Sequence, residues 1–191
     1  MKMTAMEKHF VNRPGHTRTV AARAQQLLGR LNFQAGWRYL DVGCGVGAAA
    51  HEIAAKTGLE VTGVDLDPRQ IEAAKNRGGL PNLNFRVMDA TRLDFQDGAF
   101  DIVACSMVTH HIPDWERALV EMVRVLRSGG YLVYTDLVFR SWLAKLGRRL
   151  IRFAGFPSIN ALDSAAASAG LVQVYEQQRA GEVEAIWLKS V

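Results

Sequence analysis

Apolar positions along the chain recur in two rhythms. Runs rich in β-branched and aromatic residues, RYLDV (38–42), LEVTGVD (59–65), LNFRVM (83–88), FDIVACSM (100–107) and GYLVYTDLV (130–138), have the length and composition of strands buried on both faces. Between them, 47–57, 68–77 and 114–127 repeat apolar residues at helical spacing. In the second of these, Asp67 stands before Pro68, an N-cap ahead of a favoured first helical residue, and NRGGLPN supplies the stop. Strand and helix in alternation call for right-handed crossovers, which predicts an α/β fold with a doubly wound, mostly parallel sheet and helices on both faces. The C-terminal end reads differently. A helix near 160–169 leads into GLVQVYEQQ and EVEAIWLKSV, joined by RAGE, so an antiparallel hairpin closes one edge of the sheet.

In such a sheet a ligand binds at the carboxyl ends of the strands, beside the first one. There the sequence reads YLDVGCGVGAAAHEIA (39–54), with Gly43, Gly45 and Gly47 at every second position. Glycines let the backbone turn sharply and approach a ligand, and the following helix points its N–H groups and positive dipole end at it. A carboxylate or a phosphate fits equally. Asp65, 22 residues beyond Gly43, is placed to accept hydrogen bonds from both hydroxyls of a ribose. GCGVGA also satisfies the dinucleotide pattern, so these signals alone leave NAD and other adenosine cofactors open.

Further signals narrow the choice: Asp41 two residues before the first glycine, Asp89 in VMDATRLDF, then GAFDIVACSMVTHHIPD and LRSGGYLVYTD. With them the sequence resembles the class I S-adenosylmethionine-dependent methyltransferases, in the branch acting on small molecules and on quinone or lipid precursors. The likeness runs continuously from about Gly36 to Asp136 and more loosely to Val191. It implies a seven-stranded sheet and S-adenosylmethionine as cofactor. By the same resemblance the loop of Gly43, Cys44, Gly45 and Gly47 approaches the methionine part of the cofactor, and Asp41 orders that loop and the amino group. Asp65 then holds the ribose hydroxyls, Leu66 packs on the adenine, Asp89 accepts from the adenine amino group beside the backbone of Ala90, and Ser106 lines the methionine side. Asp94 and Asp97 compete with Asp89 but read as solvated loop acids.

Methyl transfer from a sulfonium asks mainly for alignment, desolvation and, where the nucleophile carries a proton, a base. His110 and His111 follow the fourth strand on the ligand side, and histidine is the usual base at neutral pH. Of the two, His111 is the better placed to line a pocket and is the expected catalytic residue. No Pro-Pro-aromatic loop follows the fourth strand, which disfavours methylation of exocyclic base amines, and no carboxylate cluster suggests a metal. A small-molecule acceptor is expected, and no nucleic acid. A short-chain oxidoreductase would need Tyr-x-x-x-Lys, which is absent. A non-catalytic module that binds S-adenosylmethionine would keep the same loop.

Length and composition fit one domain over 1–191: a helical cap (1–35), the cofactor core (36–138), a basic amphipathic segment (139–158) and the C-terminal helix and hairpin (159–191). No run of 18 uncharged apolar residues occurs, and Cys44 and Cys105 have no metal-ligand spacing and read as small buried residues, so a cytoplasmic protein is expected. The net charge of +4 is uneven. Residues 1–40 carry seven Lys or Arg against one acid, and 137–162 holds Arg140, Lys145, Arg148, Arg149 and Arg152 with no acid. In FRSWLAKLGRRLIRF, Leu143, Leu146, Leu150 and Phe153 recur at spacings of three and four, with the cations on the other side. The ordinary expectation is that this stripe covers the sheet or the pocket. If both cationic segments flank the ligand mouth, the acceptor is anionic or is presented at an anionic membrane surface, which the short apolar face would touch.

Overall fold

The computed structural model describes residues 14–151 and 154–191. Seven strands form one sheet: β1 (Arg38–Val42), β2 (Glu60–Asp65), β3 (Leu83–Val87), β4 (Phe100–Ser106), β5 (Leu126–Leu137), β6 (Leu171–Arg179) and β7 (Glu182–Lys189). Their order is β3-β2-β1-β4-β5-β7-β6. The β7 strand runs antiparallel to both neighbours, whereas the remaining pairs are parallel. The expected hairpin is therefore present, but its second strand inserts between β5 and β6 and leaves β6 at the edge. Ala180 and Gly181 turn that hairpin with φ of 44° and 87°, the positive values that a two-residue loop matching the strand twist requires.

Among the described residues six α-helices flank the sheet: α1 (Pro14–Leu28), α2 (Ala48–Thr57), α3 (Pro68–Lys75), α4 (Trp115–Val125), α5 (Ser141–Leu150) and α6 (Ile159–Ser168). The central strands are buried on both faces, and successive residues feed two cores. Tyr39, Ile102, Ala104 and Val133 pack under Leu27 of α1, Ile53 of α2 and Ile71 of α3. Leu40, Val103, Cys105, Leu132 and Tyr134 pack under Trp115 and Met122 of α4 and Leu162 of α6. A near-continuous apolar run such as DIVAC is what such a strand needs. The longest departure from the sequence reading is the start of β5. The helix expected to 127 ends at Val125, the chain passes directly into extended backbone at Leu126 rather than at 130, and a register shift opposite Phe100 and Ile102 absorbs the intervening glycine pair.

Among the described residues no helix is long and apolar enough to cross a membrane. In α3 the expected cap is formed: the Asp67 carboxylate accepts from the N–H of Arg69 at 3.0 Å, and Pro68 takes the first helical position. Replacing Asp67 by Ala should cost about 1 kcal/mol and lower the melting temperature by about 2–4 °C, whereas Asp67→Ser, which can still cap, should recover most of it. Thermal denaturation followed by circular dichroism reads both.

Candidate functional site

At the switch point between β1 and β4 the two strands continue into loops that diverge, and an open cavity of about 370 Å³ lies there. The glycine loop forms one wall. The N–H groups of Gly43 and Cys44 both donate to the Val64 carbonyl, at 2.8 and 2.9 Å, which fastens the loop to the end of β2. Gly43 has φ 74°, and a Cβ there would lie 2.3 Å from a Val108 methyl, so only glycine lets the ends of β1 and β4 come this close. At Gly45 (φ 53°) a Cβ would meet nothing within 4 Å. Its backbone faces open space, as a cradle for a ligand does. From outside, the Arg77 guanidinium donates to the Val46 carbonyl at 2.6 Å and holds the tip of the loop.

Two carboxylates stand behind this wall. Asp65 accepts from the N–H of Gly45 and from that of Asp67, each at 2.9 Å. Both oxygens are thereby oriented toward the end of the glycine loop and the start of α3. Asp41 is buried on β1, and burial, reinforced by the negative charge of Asp65, raises its pKa to about 7. Burial likewise pushes the Cys44 thiol up, so Cys44 is a small apolar part of the wall rather than a nucleophile. Asp89 is exposed at the rim, where one oxygen caps the turn by accepting from the Thr91 N–H and hydroxyl, both at 2.8 Å.

The opposite wall follows β4. Met107 sits at φ 59°, an unusual conformation for a residue with a long side chain, and its N–H donates to the Thr135 carbonyl at 2.7 Å. The next three residues turn around Asp136, which is fully buried at the end of β5. Its Oδ2 accepts from the N–H of Thr109 at 2.6 Å, from the Thr109 hydroxyl at 2.5 Å, and more weakly from the N–H groups of Val108 and His110. With the Thr109 hydroxyl committed to Asp136, the Tyr134 hydroxyl donates to Thr109, 2.5 Å away. On the other side Nδ1 of His110 makes a short contact with Oδ1 of Asp136. The His110 ring lies 3.9 Å from that of His111, centroid to centroid.

Asp41, Gly43, Cys44, Gly45, Asp65, Leu66, Asp89, Ala90, Ser106 and His111 all line the one cavity. Gly47 does not. It is needed because a Cβ there would collide with Phe85 and Ala74, so it joins loop to core. Asp94 and Asp97 are solvated and pair with Arg86 and Arg124. The sequence reading passed over Asp136, although a carboxylate at the carboxyl end of β5, beside the strand that carries the histidines, was the available signal. Met107, Gln70 and Val20 of α1 also line the cavity and had no motif to mark them. Part of the first cationic segment is engaged within the fold: Arg23 pairs with Glu182 at 2.7 Å and Glu184 at 3.0 Å, Arg30 lies over the Tyr175 ring and Arg38 approaches Asp101. Arg18 is exposed, and Lys2, Lys8 and Arg13 lie outside the described residues.

Residues 40–134 match the family described as Methyltransferase domain. The methyltransferase GfsG of Streptomyces halstedii is 40% identical over 123 residues, covering 62% of this chain and 44% of the relative. Phthiotriol/phenolphthiotriol dimycocerosates methyltransferase 1 of Mycobacterium ulcerans is 39% identical over 131 residues, 66% of this chain and 48% of the relative. The chain thus spans about half the length of the curated relatives it matches. Among solved structures, the [4+2]-cyclase SpnF superposes with a TM-score of 0.78 at 21% identity, covering 90% of this chain and 82% of that one. That likeness speaks for the fold alone.

Asp41 supplies a test that needs no ligand. Its folded pKa of about 7 stands above the ordinary 3.8, so the folded protein holds a proton that the unfolded chain releases. Stability contributed by this group is present at low pH and declines as pH rises toward 7. Asp41→Asn cannot ionise, so the melting temperature of the variant relative to the parent should climb between about pH 4 and 7 and level off above that range. A difference independent of pH would show that the carboxyl group is not strained by burial.

Proposed function

Because the chain belongs to the class I S-adenosylmethionine-dependent methyltransferases, we propose that it transfers a methyl group to a small molecule that is anionic or lipid-like. The observation that carries this reading is the convergence of the glycine loop, Asp41, Asp65 and Asp89 on one cavity whose far wall holds His111. The residues present fit the cofactor. Asp65, oriented by two N–H groups, takes the ribose hydroxyls, and Leu66 flanks the adenine. Asp89, with one oxygen free of the turn, takes the adenine amino group beside the backbone of Ala90. The open backbone at Gly45 admits the methionine part, whose ammonium falls to Asp41, and Ser106 borders the same end. When bound, the cofactor supplies a methyl group already activated on a sulfonium.

The chain's own residues then do three things. The loop and carboxylates align the methyl donor; Met107, Val108 and Ile112 keep water from the reacting end; His111 accepts the proton of an acceptor nucleophile. His110 does not need to touch the acceptor. Held by Asp136 and packed at a tilt against the His111 ring, it fixes the base in place, as a carboxylate-bound histidine commonly orients its neighbour. The acceptor class draws on the relative named for phthiotriol and phenolphthiotriol dimycocerosates and on the five cations of residues 137–162, a stretch that carries no acid. A peripheral contact with an anionic membrane surface belongs to this reading, as does the cytoplasm, whose reducing state suits two free cysteines.

The decisive experiment combines mass spectrometry of ligand carried through purification with a screen of anionic and lipid-like acceptors for S-adenosylhomocysteine release. Binding without release across acceptors would make the protein a sensor or partner subunit instead. Asp65→Ala should weaken cofactor binding at least about tenfold, because charge-assisted hydrogen bonds of roughly 1.5–3 kcal/mol each are lost. Cofactor affinity should also fall as pH drops below 7, because Asp41 must give up its proton to meet an ammonium. Calorimetry in two buffers of different ionisation enthalpy should detect the released proton in the parent and not in Asp41→Asn.

A kinetic split tests the far wall. His111→Asn should lower kcat by about a hundredfold or more with cofactor affinity nearly unchanged. Asp136→Asn should lower kcat by less, through His110, again without moving cofactor affinity. Parallel loss of cofactor binding in both would make this turn part of the cofactor site.

A further inference from the structure

The α5 helix is oriented the opposite way to the ordinary expectation that its apolar stripe covers the sheet or the pocket, and presents that stripe outward, as the membrane alternative requires. Its small residues face the protein: Ala144 is fully buried, and Gly147 lies so close to Phe156 that a Cβ would sit 2.6 Å from the ring. Its large apolar residues face outward. Trp142 is 60% exposed, Leu146 46% and Leu150 70%, and Leu143 and Ile151 are exposed beside them. At about 100° per residue, positions 142, 146, 150 and 143 form one continuous arc on the helix. Arg149 borders that arc and Arg140 precedes the helix, both exposed. The sequence adds Lys145 and Arg148 to the same ten residues, with no acid from 137 to 162.

This combination selects the occupant. A second copy of the chain would bring like-charged borders together, which opposes self-association. An anionic lipid surface receives both parts at once, the apolar arc at the acyl boundary and the cations among the headgroups. A tryptophan at the end of the arc is the residue type that favours that interface. The helix is also tied to the site. Phe156, which fills the notch at Gly147, packs at a tilt against Phe139, and the Gly155 N–H donates to the His110 carbonyl at 3.0 Å. A Cβ at Gly155 would lie 2.1 Å from the Thr109 carbonyl and 2.4 Å from that of Ile112, so this strap lies directly on the histidine turn.

We infer that α5 is a lipid-surface anchor, lying flat on an anionic membrane through Trp142, Leu143, Leu146 and Leu150, and that it holds the cavity edge formed by His111 and Ile112 against that membrane. The first half stands on the helix alone; the second, which makes the membrane the source of the acceptor, rests on the reading of the cavity proposed above. Attachment through ten residues is reversible and weakens with salt.

Trp142 is the tryptophan on the proposed contact face: Trp115 and Trp187 are fully buried, and Trp37 is half-buried under the Arg127 guanidinium just before β1, at the opposite end of the sheet from α5. The Trp142 emission should shift to the blue, and the protein should co-sediment, with vesicles containing phosphatidylglycerol, about tenfold or more tightly than with pure phosphatidylcholine at low salt. Leu146→Glu with Leu150→Glu should abolish sedimentation. Arg149→Glu should weaken binding to phosphatidylglycerol vesicles, and Trp142→Phe should remove the emission change while sedimentation persists. Absence of binding, equal binding to both lipids, or a dimer in light scattering that the double leucine variant dissolves would each overturn the inference. Calorimetry with S-adenosylhomocysteine on the same samples separates the two readings. Intact binding without vesicle attachment removes the anchor and leaves the cofactor site, whereas attachment without binding does the reverse.

Discussion

A carboxyl group buried as fully as that of Asp136 must find its hydrogen bonds within the protein, and the shape of the site follows from how it does so. Three consecutive N–H groups, the Thr109 hydroxyl and the His110 ring all turn toward it. A chain that leaves β4 and bends that tightly has to pass Met107 through positive φ. The bend brings Val108 onto Gly43, where no other residue would fit, so one buried acid on β5 sets the distance between the glycine loop and the histidine turn. The strap at Gly155 then closes over the outside of the same turn.

The facing wall follows the opposite principle. Asp136 is satisfied by the fold, whereas Asp41 is kept near neutrality by burial and by Asp65. Two acids at the ends of adjacent strands destabilise the empty pocket and favour a ligand that brings positive charge. Strain of this kind is useful only where something enters to relieve it. That distinguishes Asp41 from Arg124, whose guanidinium meets Glu121, Asp97 and two backbone carbonyls and serves to pin the 93–97 loop.

Much of the cofactor wall was legible in the chain because it is local. The glycine loop, Asp41, Asp65 and the Asp67 cap are each defined by residues within a few positions of a strand end, and strand ends are marked by apolar runs. Gly47 shows the limit of that logic: it has the same spacing as Gly43 and Gly45, yet its role is decided by Phe85, a residue on a different strand. The cations of the first forty residues show it again. Counted along the sequence they make a basic segment, but Arg23 is neutralised by two glutamates of β7, more than 150 positions away.

The sequence by itself determined the strands, the helices, the parallel core and the end of the sheet at which ligands bind, because periodicity, capping and glycine placement are short-range properties. The tertiary structure alone decided the insertion of β7 between β5 and β6, the partnership of Asp136 with the histidine turn, and the side of α5 that faces out. Each depends on contacts between residues far apart in the chain. For α5 the physical reason is steric. The amphipathic pattern of 141–150 fixes which residues share a face, but Phe156 admits only a face without side chains, so the small residues turn inward and the leucines are left to the surroundings.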